Sequence, residues 1–398
     1  MDFDKEAVEA VANANTNFGN ALFKILAKPD QNLIMSSYSV SSVLNMALNG
    51  AKGRTASQIK QGLTIKDFDV VKNGFKDILT LLKSNESFTL NAANRIYFSV
   101  DNSIDKSYIQ STQKFFLAEP MSMDFRQAEQ SRNEINQWVD EQTNQKIQDL
   151  IAPGSIDGDT KLVLVNAVYF KGDWQFKFNK TNTKKDEFHV SPSQTVQTDM
   201  MFSLGTFGVL RGIKDLKGAD ALDMPYKGKR LSMIFLLPGI DGLGRVSSYA
   251  PPSYRSLDDL EDAMSKVTDL NSILKFEQKL AVKVTLPRFK LESELDLDEP
   301  LMQLGMTDMF GRDADFSGMT GGTNTGLYVS KVLQKVLVEV NEEGTEAAAA
   351  TFATFKTRSA PRIPEFTCLR PFMFLIRDNL TGMILFSGHV TDPSNKTI

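Results

Sequence analysis

The feature that most constrains this 398-residue chain is a run of small side chains at residues 342–354, directly after a strand-like apolar stretch at 335–340. Strand side chains alternate between two faces, so Glu346, Lys356 and Arg358 would share one face. The opposite face would carry mostly small side chains, namely Thr345, Ala347, Ala349, Thr351, Ala353, Phe355 and Thr357. Such a segment can enter an existing sheet without overpacking it. The run therefore predicts a strand that is exposed first and buried later.

Further stretches follow one another in a characteristic order and spacing, at residues 165–174, 186–190, 314–319, 370–372 and 385–390. With them, the chain resembles the inhibitory members of the serpin family nearly from end to end. The match is closest in the hinge of that family. The hinge residues are Glu342, Glu343, Gly344, Thr345, Glu346, Ala347, Ala348, Ala349, Ala350 and Thr351.

The resemblance implies an α+β fold with three β-sheets, about eight or nine helices and an exposed reactive loop near the C-terminus. We expect residues 1–398 to form a single serpin domain with the loop at about 342–364. A suicide-substrate inhibitor is implied: the target protease cuts the loop, stays attached as a covalent acyl complex, and is carried along as the loop inserts into the main sheet. We expect a monomer that needs no cofactor.

The resemblance also implies which residues control opening of the main sheet: Ser36, Ser39, Asn166, Trp174 and Gln334. Asn166 lies in a nearly continuous apolar run at 162–170, typical of a central strand buried on both faces. An unpaired buried amide costs about 1–3 kcal/mol, so we expect Asn166 to hydrogen-bond the neighbouring strand or Ser39. Two positions depart from the family pattern, because Ser37 stands where proline is usual and Gln334 where many members carry histidine.

The family's usual spacing from the hinge places the reactive bond between Arg358 and Ser359, which suits a trypsin-like protease with a carboxylate in its primary pocket. The alternative bond joins Lys356 to Thr357, with Phe355 upstream, and suits papain-like cysteine proteases. We thus expect Phe355, Lys356 and Arg358 to set specificity, with Arg362 as an outside candidate. A non-inhibitory carrier or chaperone is a further alternative, although the small hinge residues disfavour it.

The apolar periodicity predicts a first helix from Val8 to Leu26 and a second between residues 127 and 151. The second is marked by Ile135, Trp138, Val139, Ile147 and Leu150, and resembles the family's helix across the main sheet. Two strands, at 372–376 and 383–390, flank a hairpin-like connection near the end of the chain. The Gly/Pro/Ser-rich stretch at 238–253 predicts a surface loop.

Composition argues against several other classes. A net charge of −4 without a long basic run disfavours nucleic acid, and no stretch approaches 18 apolar residues, which disfavours a membrane span. Only His189 and His389 are present, without metal-ligand or nucleophile motifs, so we expect neither a metal nor catalysis. The single cysteine, Cys368, excludes an internal disulfide. Acceptor sequons at Asn85, Asn179, Asn379 and Asn395 favour secretion, whereas the absence of a signal-peptide pattern leaves a cytosolic location open.

Overall fold

The computed structural model describes residues 3–82, 88–239, 256–343 and 363–395. Within them lie nine α-helices: α1 (Lys5–Leu26), α2 (Ser37–Gly50), α3 (Gly53–Gly62), α4 (Phe68–Leu81), α5 (Lys106–Phe116), α6 (Ala128–Gln142), α7 (Leu257–Met264), α8 (Leu270–Ile273) and α9 (Asp298–Gln303). The strands of the same residues are β1 (Leu33–Met35), β2 (Phe88–Ser99), β3 (Met121–Met123), β4 (Leu162–Gly172), β5 (Lys184–Ser191), β6 (Gln194–Ile213), β7 (Ala219–Pro225), β8 (Leu231–Leu237), β9 (Lys279–Pro287), β10 (Phe289–Asp296), β11 (Val329–Val340), β12 (Glu365–Thr367), β13 (Phe372–Asp378) and β14 (Ile384–Val390). The predicted α+β class is confirmed.

The smaller sheet has five strands in the order β10-β11-β4-β2-β3. Strand β11 pairs antiparallel with β10 on one side and parallel with β4 on the other. Strand β4 in turn pairs antiparallel with β2. The strand that leads to the hinge therefore lies inside this sheet, not at its edge.

The larger sheet has nine strands, eight of them in the order β1-β14-β13-β8-β7-β6-β9-β12, with β5 also paired to β6. We expected three sheets, but the described residues form two hydrogen-bonded sheets. The reason is the length of β6, whose 20 residues pair with β5 at one end, with β9 across the middle and with β7 at the other end. One continuous strand thus joins two groups of strands that would otherwise count as separate sheets.

Two apolar clusters cover the two faces of the five-stranded sheet. The main core lies on the inner face and contains Leu164, Val168, Val332 and Val336 together with residues of α1, α2 and the larger sheet. The outer cluster lies between the opposite face and α6. Its buried members are Ala93, Tyr97, Met123, Phe125, Ile135, Val139, Ile147, Leu150, Ile151, Ile156, Val163, Val165, Ala167, Leu333 and Leu337.

Several predicted elements match the structure. The first helix is α1, the central strand is β4, and the terminal strand pair is β13 and β14. The second helix was predicted too long: α6 ends at Gln142, and the chain then turns through Asn144 and Gln145, both at positive φ. Ile147 and Leu150 are still buried, but in irregular chain over the sheet.

No helix of the described residues is long and apolar enough to cross a membrane. The predicted loop at 238–253 lies mostly outside these residues.

Candidate functional site

The boundary between β4 and β11, called the seam below, is the part of the five-stranded sheet nearest in sequence to the hinge. Its register runs from the pair Val329 and Leu162 to the pair Val338 and Phe170. A segment that follows β11 and turns back into the seam would run antiparallel to both strands. Two antiparallel ladders would then replace one parallel ladder, and antiparallel pairing is slightly more stable per residue.

Three amide side chains lie in one row across the middle of the seam. Asn94 on β2 is the register partner of Asn166 on β4, which is the partner of Gln334 on β11. The Asn166 side-chain nitrogen donates to Asn94 Oδ1, and Asn166 Oδ1 accepts from the Gln334 side-chain nitrogen. Asn166 and Gln334 are fully buried, so these bonds replace those that water would supply.

The N-terminus of α2 meets this row from the core side. Gln334 accepts from the Ser36 backbone N–H and donates to the Ser36 carbonyl oxygen, both at 3.0 Å. Ser39 accepts from Asn166 and donates to Asn94 at 2.8 Å. The predicted partnership of Asn166 with Ser39 and a neighbouring strand is confirmed, and Ser36, Ser39, Asn166 and Gln334 form one network.

The two departures from the family pattern have simple local consequences. Ser37 is the first residue of α2, the helical position at which proline is well tolerated. Its buried hydroxyl lacks a hydrogen-bond partner within the described structure. Gln334 has both an acceptor and a donor, and it uses both on the Ser36 backbone.

At the end of the seam where β11 leaves the sheet, two stacked aromatic rings lie against the chain. The rings of Trp174 and Tyr226 are stacked, with centroids 4.5 Å apart and planes 7° from parallel. The Trp174 indole N–H donates to the Asn341 carbonyl oxygen at 2.9 Å. Trp174 therefore holds the chain just beyond β11, whereas the other predicted sheet-opening residues hold the middle of the seam.

The first two hinge residues are the last ones described before residue 344, and both make contacts. Thr183 donates to the Glu342 carboxylate at 2.7 Å, and the Arg288 guanidinium lies 3.9 Å from it. Lys180 pairs with Glu343 at 3.0 Å. That hydrogen bond and charge, with Lys171 and Lys177 nearby, lower the pKa of Glu343 below its usual range. A cleft of about 270 Å³ opens among these side chains.

The remaining predicted site residues lie outside the described residues. They are Gly344, Thr345, Glu346, Ala347, Ala348, Ala349, Ala350 and Thr351 of the hinge, Phe355 and Lys356 with Thr357, Arg358 with Ser359, and Arg362. The hinge, reactive bond and specificity assignments at these positions stay predictions.

Sequence reasoning missed several residues of this site. Asn94 could have been suspected, because it is an amide within a strand-like stretch that pairs with the Asn166 strand. Thr183 and Lys180 gave no signal, since they lie 159 and 163 residues from their glutamate partners. Tyr226 likewise gained its role through tertiary contact with Trp174.

Both histidines lie in strands of the larger sheet. His389 is fully buried, and its Nδ1 lies 2.6 Å from the Glu261 carboxylate on α7, which ties that helix to β14.

Burial strongly raises the pKa of the Cys368 thiol, which makes it a poor nucleophile. Across the described ranges, no group of three or more His, Cys, Asp or Glu residues could hold a metal ion.

Comparison with known proteins agrees with this architecture. A family model described as Serpin (serine protease inhibitor) matches residues 13–393. The leukocyte elastase inhibitor of Bos taurus is 39% identical over 401 residues, covering 97% of this chain and 100% of the relative. Serpin B4 of Homo sapiens is 38% identical over 407 residues, again covering 97% of this chain and 100% of the relative.

Solved structures also match this chain over nearly its whole length. Serpin48, described as a highly specific serpin of the insect Tenebrio molitor, matches with a TM-score of 0.79 and 32% identity, covering 96% of this chain and 98% of its own. Uncleaved ovalbumin matches with a TM-score of 0.83 and 28% identity, covering 96% and 100%. The protein belongs to the serpin family, the class of serine protease inhibitors that the family model describes.

Proposed function

We propose that this serpin inhibits its target as a suicide substrate: the protease cuts the reactive loop, remains acylated to it, and is displaced when the loop inserts into the seam. The observation that carries the proposal is the position of β11. This strand leads directly to the hinge, and its neighbour on one side is the parallel strand β4, along which a returning segment would form two antiparallel ladders.

The polar network supports the same proposal because hydrogen-bonded amides join the two strands at the middle of the seam, between the apolar pairs Leu333 with Val165 and Val336 with Val168. When the strands separate, Asn166 and Gln334 lose their mutual hydrogen bond, and their amide groups can bond to polar groups of an entering strand. The small hinge residues also support the proposal. On the inner face of an inserted strand, their side chains would not overpack the main core.

Trypsin-like serine proteases are the proposed targets, with Arg358 in the primary pocket and the cut before Ser359. A guanidinium forms a charge-assisted hydrogen bond with the carboxylate of such a pocket. The second candidate is a papain-like cysteine protease that cuts after Lys356 with Phe355 upstream. The bovine relative is named as an inhibitor of leukocyte elastase, whose small pocket would favour a cut beside a small residue such as Ala360.

Incubation with each class of protease distinguishes between these proposed targets and cut sites. We expect a covalent complex that survives denaturing electrophoresis with a trypsin-like enzyme, and mass spectrometry of the released C-terminal fragment should place the cut after Arg358. A cut after Lys356 with a papain-like enzyme would support the second candidate. Complete cleavage by all tested proteases without any covalent complex would contradict inhibition and favour the carrier or chaperone alternative.

We further propose that the protein acts as a secreted monomer, with a cytosolic location as the alternative. Asn179 is exposed, and its side-chain oxygen accepts from the Thr181 backbone N–H at 3.0 Å and from the Thr181 hydroxyl at 2.8 Å. This arrangement leaves the side-chain nitrogen, the atom that carries an N-linked glycan, outside those bonds. A glycan on Asn179 of the native protein would support secretion, whereas unmodified protein recovered only from cytosol would contradict it.

A further inference from the structure

We propose that a cluster of lysines beside the start of the hinge is a docking surface for an acidic patch on the target protease. The cluster, called the basic cluster below, consists of Lys171, Lys177, Lys180, Lys227 and Lys229. The inference rests on the proposed inhibition of a trypsin-like protease. It adds to that function a second contact surface, outside the reactive loop.

The fold brings the two lysine-bearing segments of the chain side by side. The Lys227 backbone N–H donates to the Asp173 carbonyl oxygen at 2.7 Å. The Gly228 backbone N–H donates to the Gln175 side-chain oxygen at 3.2 Å. The short turn at 227–229 therefore lies against the chain that follows β4, and the lysines of both segments form one surface.

The lysines of the first segment lie close enough to act on one carboxylate. The charges of Lys180, Lys171 and Lys177 all lower the pKa of Glu343, with the Lys180 hydrogen bond as the largest cause. Within the part of the chain that the structure describes, Lys171, Lys177 and Lys229 form no ion pair. Positive charge is therefore concentrated at this surface, although the whole chain has a net charge of −4.

The basic cluster flanks the chain at the point where it leaves β11. Trp174 donates to the Asn341 carbonyl oxygen at 2.9 Å, and Lys180 pairs with Glu343 at 3.0 Å. Glu343 is the last described residue before the reactive loop. A protease that binds the loop is thus tethered at this end of the molecule, where complementary charge would speed its association.

An apolar patch beside the lysines indicates a protein partner. Phe176 is 39% exposed, and its ring packs edge-to-face against Phe207 with centroids 6.1 Å apart. Leu280, the strand partner of Phe207, is 47% exposed. An apolar centre with a charged rim is the usual anatomy of a protein interface. A sulfated polysaccharide would match the charge but would offer little apolar surface to cover Phe176 and Leu280.

Anionic and cationic trypsin test the docking surface, because they share one primary specificity and differ in net charge. The association rate constant is measured for the parent and for Lys177→Glu/Lys229→Glu. With anionic trypsin at low salt, we expect the variant to associate at least about 5-fold more slowly than the parent. This difference should vanish at about 1 M salt, where the Debye length is about 3 Å. With cationic trypsin, the variant should be as fast as the parent or faster.

Lys66→Glu/Lys76→Glu is the matched control, because it makes the same change in net charge at two exposed lysines. These lysines lie just before and on α4, which packs against α1 and α5. The control should change the rate constant with anionic trypsin by less than about twofold, since distant exposed charges are screened. If Lys177→Glu/Lys229→Glu does not fold, Lys229→Glu alone replaces it.

Three results would overturn the inference while leaving the proposed function intact. The first is an equal rate constant of parent and variant with anionic trypsin, with the covalent complex still formed. The second is an equal slowing of the variant with both trypsins, which would assign the effect to the hinge. The third is heparin binding that the variant loses, with an unchanged rate constant for anionic trypsin, which would assign the basic cluster to a polyanion. If neither trypsin forms a covalent complex with the parent, the proposed function fails, and the inference fails with it.

Discussion

At the scale of single residues, the seam is held by groups that are costly to leave unpaired. Asn166 is fully buried and bonds to Asn94, Ser39 and Gln334. Its removal affects all three partners at once, because Ser39 and Gln334 each lose a hydrogen bond in a place that water does not reach, and the half-buried Asn94 loses one as well.

Asn166→Ala should therefore lower the free energy of unfolding of the intact protein by about 1–3 kcal/mol or more. The measurement is chemical unfolding of intact protein. Asn182→Ala is the control, since Asn182 is exposed and should change stability by less than about 0.5 kcal/mol. Equal stabilities of the two variants would show that the network does not hold the seam.

The charge on Glu343 depends on its lysine neighbours. Lys180, and more weakly Lys171 and Lys177, keep the pKa of Glu343 below its usual range. The Lys180 contact therefore favours the folded hinge above the unfolded-state pKa, and this contribution is lost as pH falls through the lowered folded-state pKa.

Lys180→Met should raise the pKa of Glu343 towards its ordinary value. NMR titration of the side-chain carboxyl measures this directly. Lys185→Met is a matched control, because Lys185 pairs with Asp199 at 3.1 Å and not with the hinge. Equal shifts of the Glu343 pKa in both variants would contradict the assigned cause.

Arg358 is the residue proposed to select a trypsin-like target protease. Arg358→Ala should reduce inhibition of a trypsin-like enzyme at least about 30-fold, because removing one partner of a buried charge pair costs about 2–5 kcal/mol or more. Inhibition of a papain-like enzyme should persist, with Phe355→Asp weakening it instead. The association rate constant is the quantity to measure. Unchanged trypsin-like inhibition with the cut still after residue 358 would show that Arg358 does not determine specificity.

At the scale of elements, local patterns predicted much of the framework. The heptad-like spacing of Val8, Val11, Phe18 and Leu22 identified α1, and the continuous apolar run at 162–170 identified β4. These patterns report burial, and burial alone did not distinguish helix from irregular chain at Ile147 and Leu150. Contacts between distant elements, such as Thr183 with Glu342, required the folded chain because nothing local to either residue marks them.

The hinge is the element whose behaviour the proposed function depends on. Thr345→Arg or Ala349→Glu should convert the protein from an inhibitor into a substrate, because insertion would bury an unpaired charge in the main core. The measurement is the ratio of covalent complex to cleaved, uncomplexed protein. The matched control is Glu346→Arg, which places a charge on the outer face, where a charge already stands. Unchanged complex formation by Thr345→Arg and Ala349→Glu would contradict the assignment of faces.

At the scale of the whole molecule, the proposed function requires that the intact form is not the most stable one. Family membership and architecture were readable from motif order along the sequence. The size of any stability difference between the intact and the loop-cleaved chain could not be predicted from the sequence, because it would depend on how β4 and β11 pair with each other and with an inserted strand. Each added ladder hydrogen bond is worth about 0.5–1.5 kcal/mol net.

Thermal unfolding of the intact and the loop-cleaved protein tests whether cleavage of the loop stabilises the molecule. An unfolding entropy of about 2.1 cal/mol/K per residue makes 1 kcal/mol worth roughly 1 °C of Tm in a 398-residue protein, so a gain of several kcal/mol should raise the Tm of the cleaved form by roughly 5 °C or more. Thr345→Arg protein, cleaved at the same bond, should show little of this gain. The cleaved parent protein should melt well above the intact one. Equal melting temperatures, with mass spectrometry confirming a single cut in the loop, would contradict loop insertion.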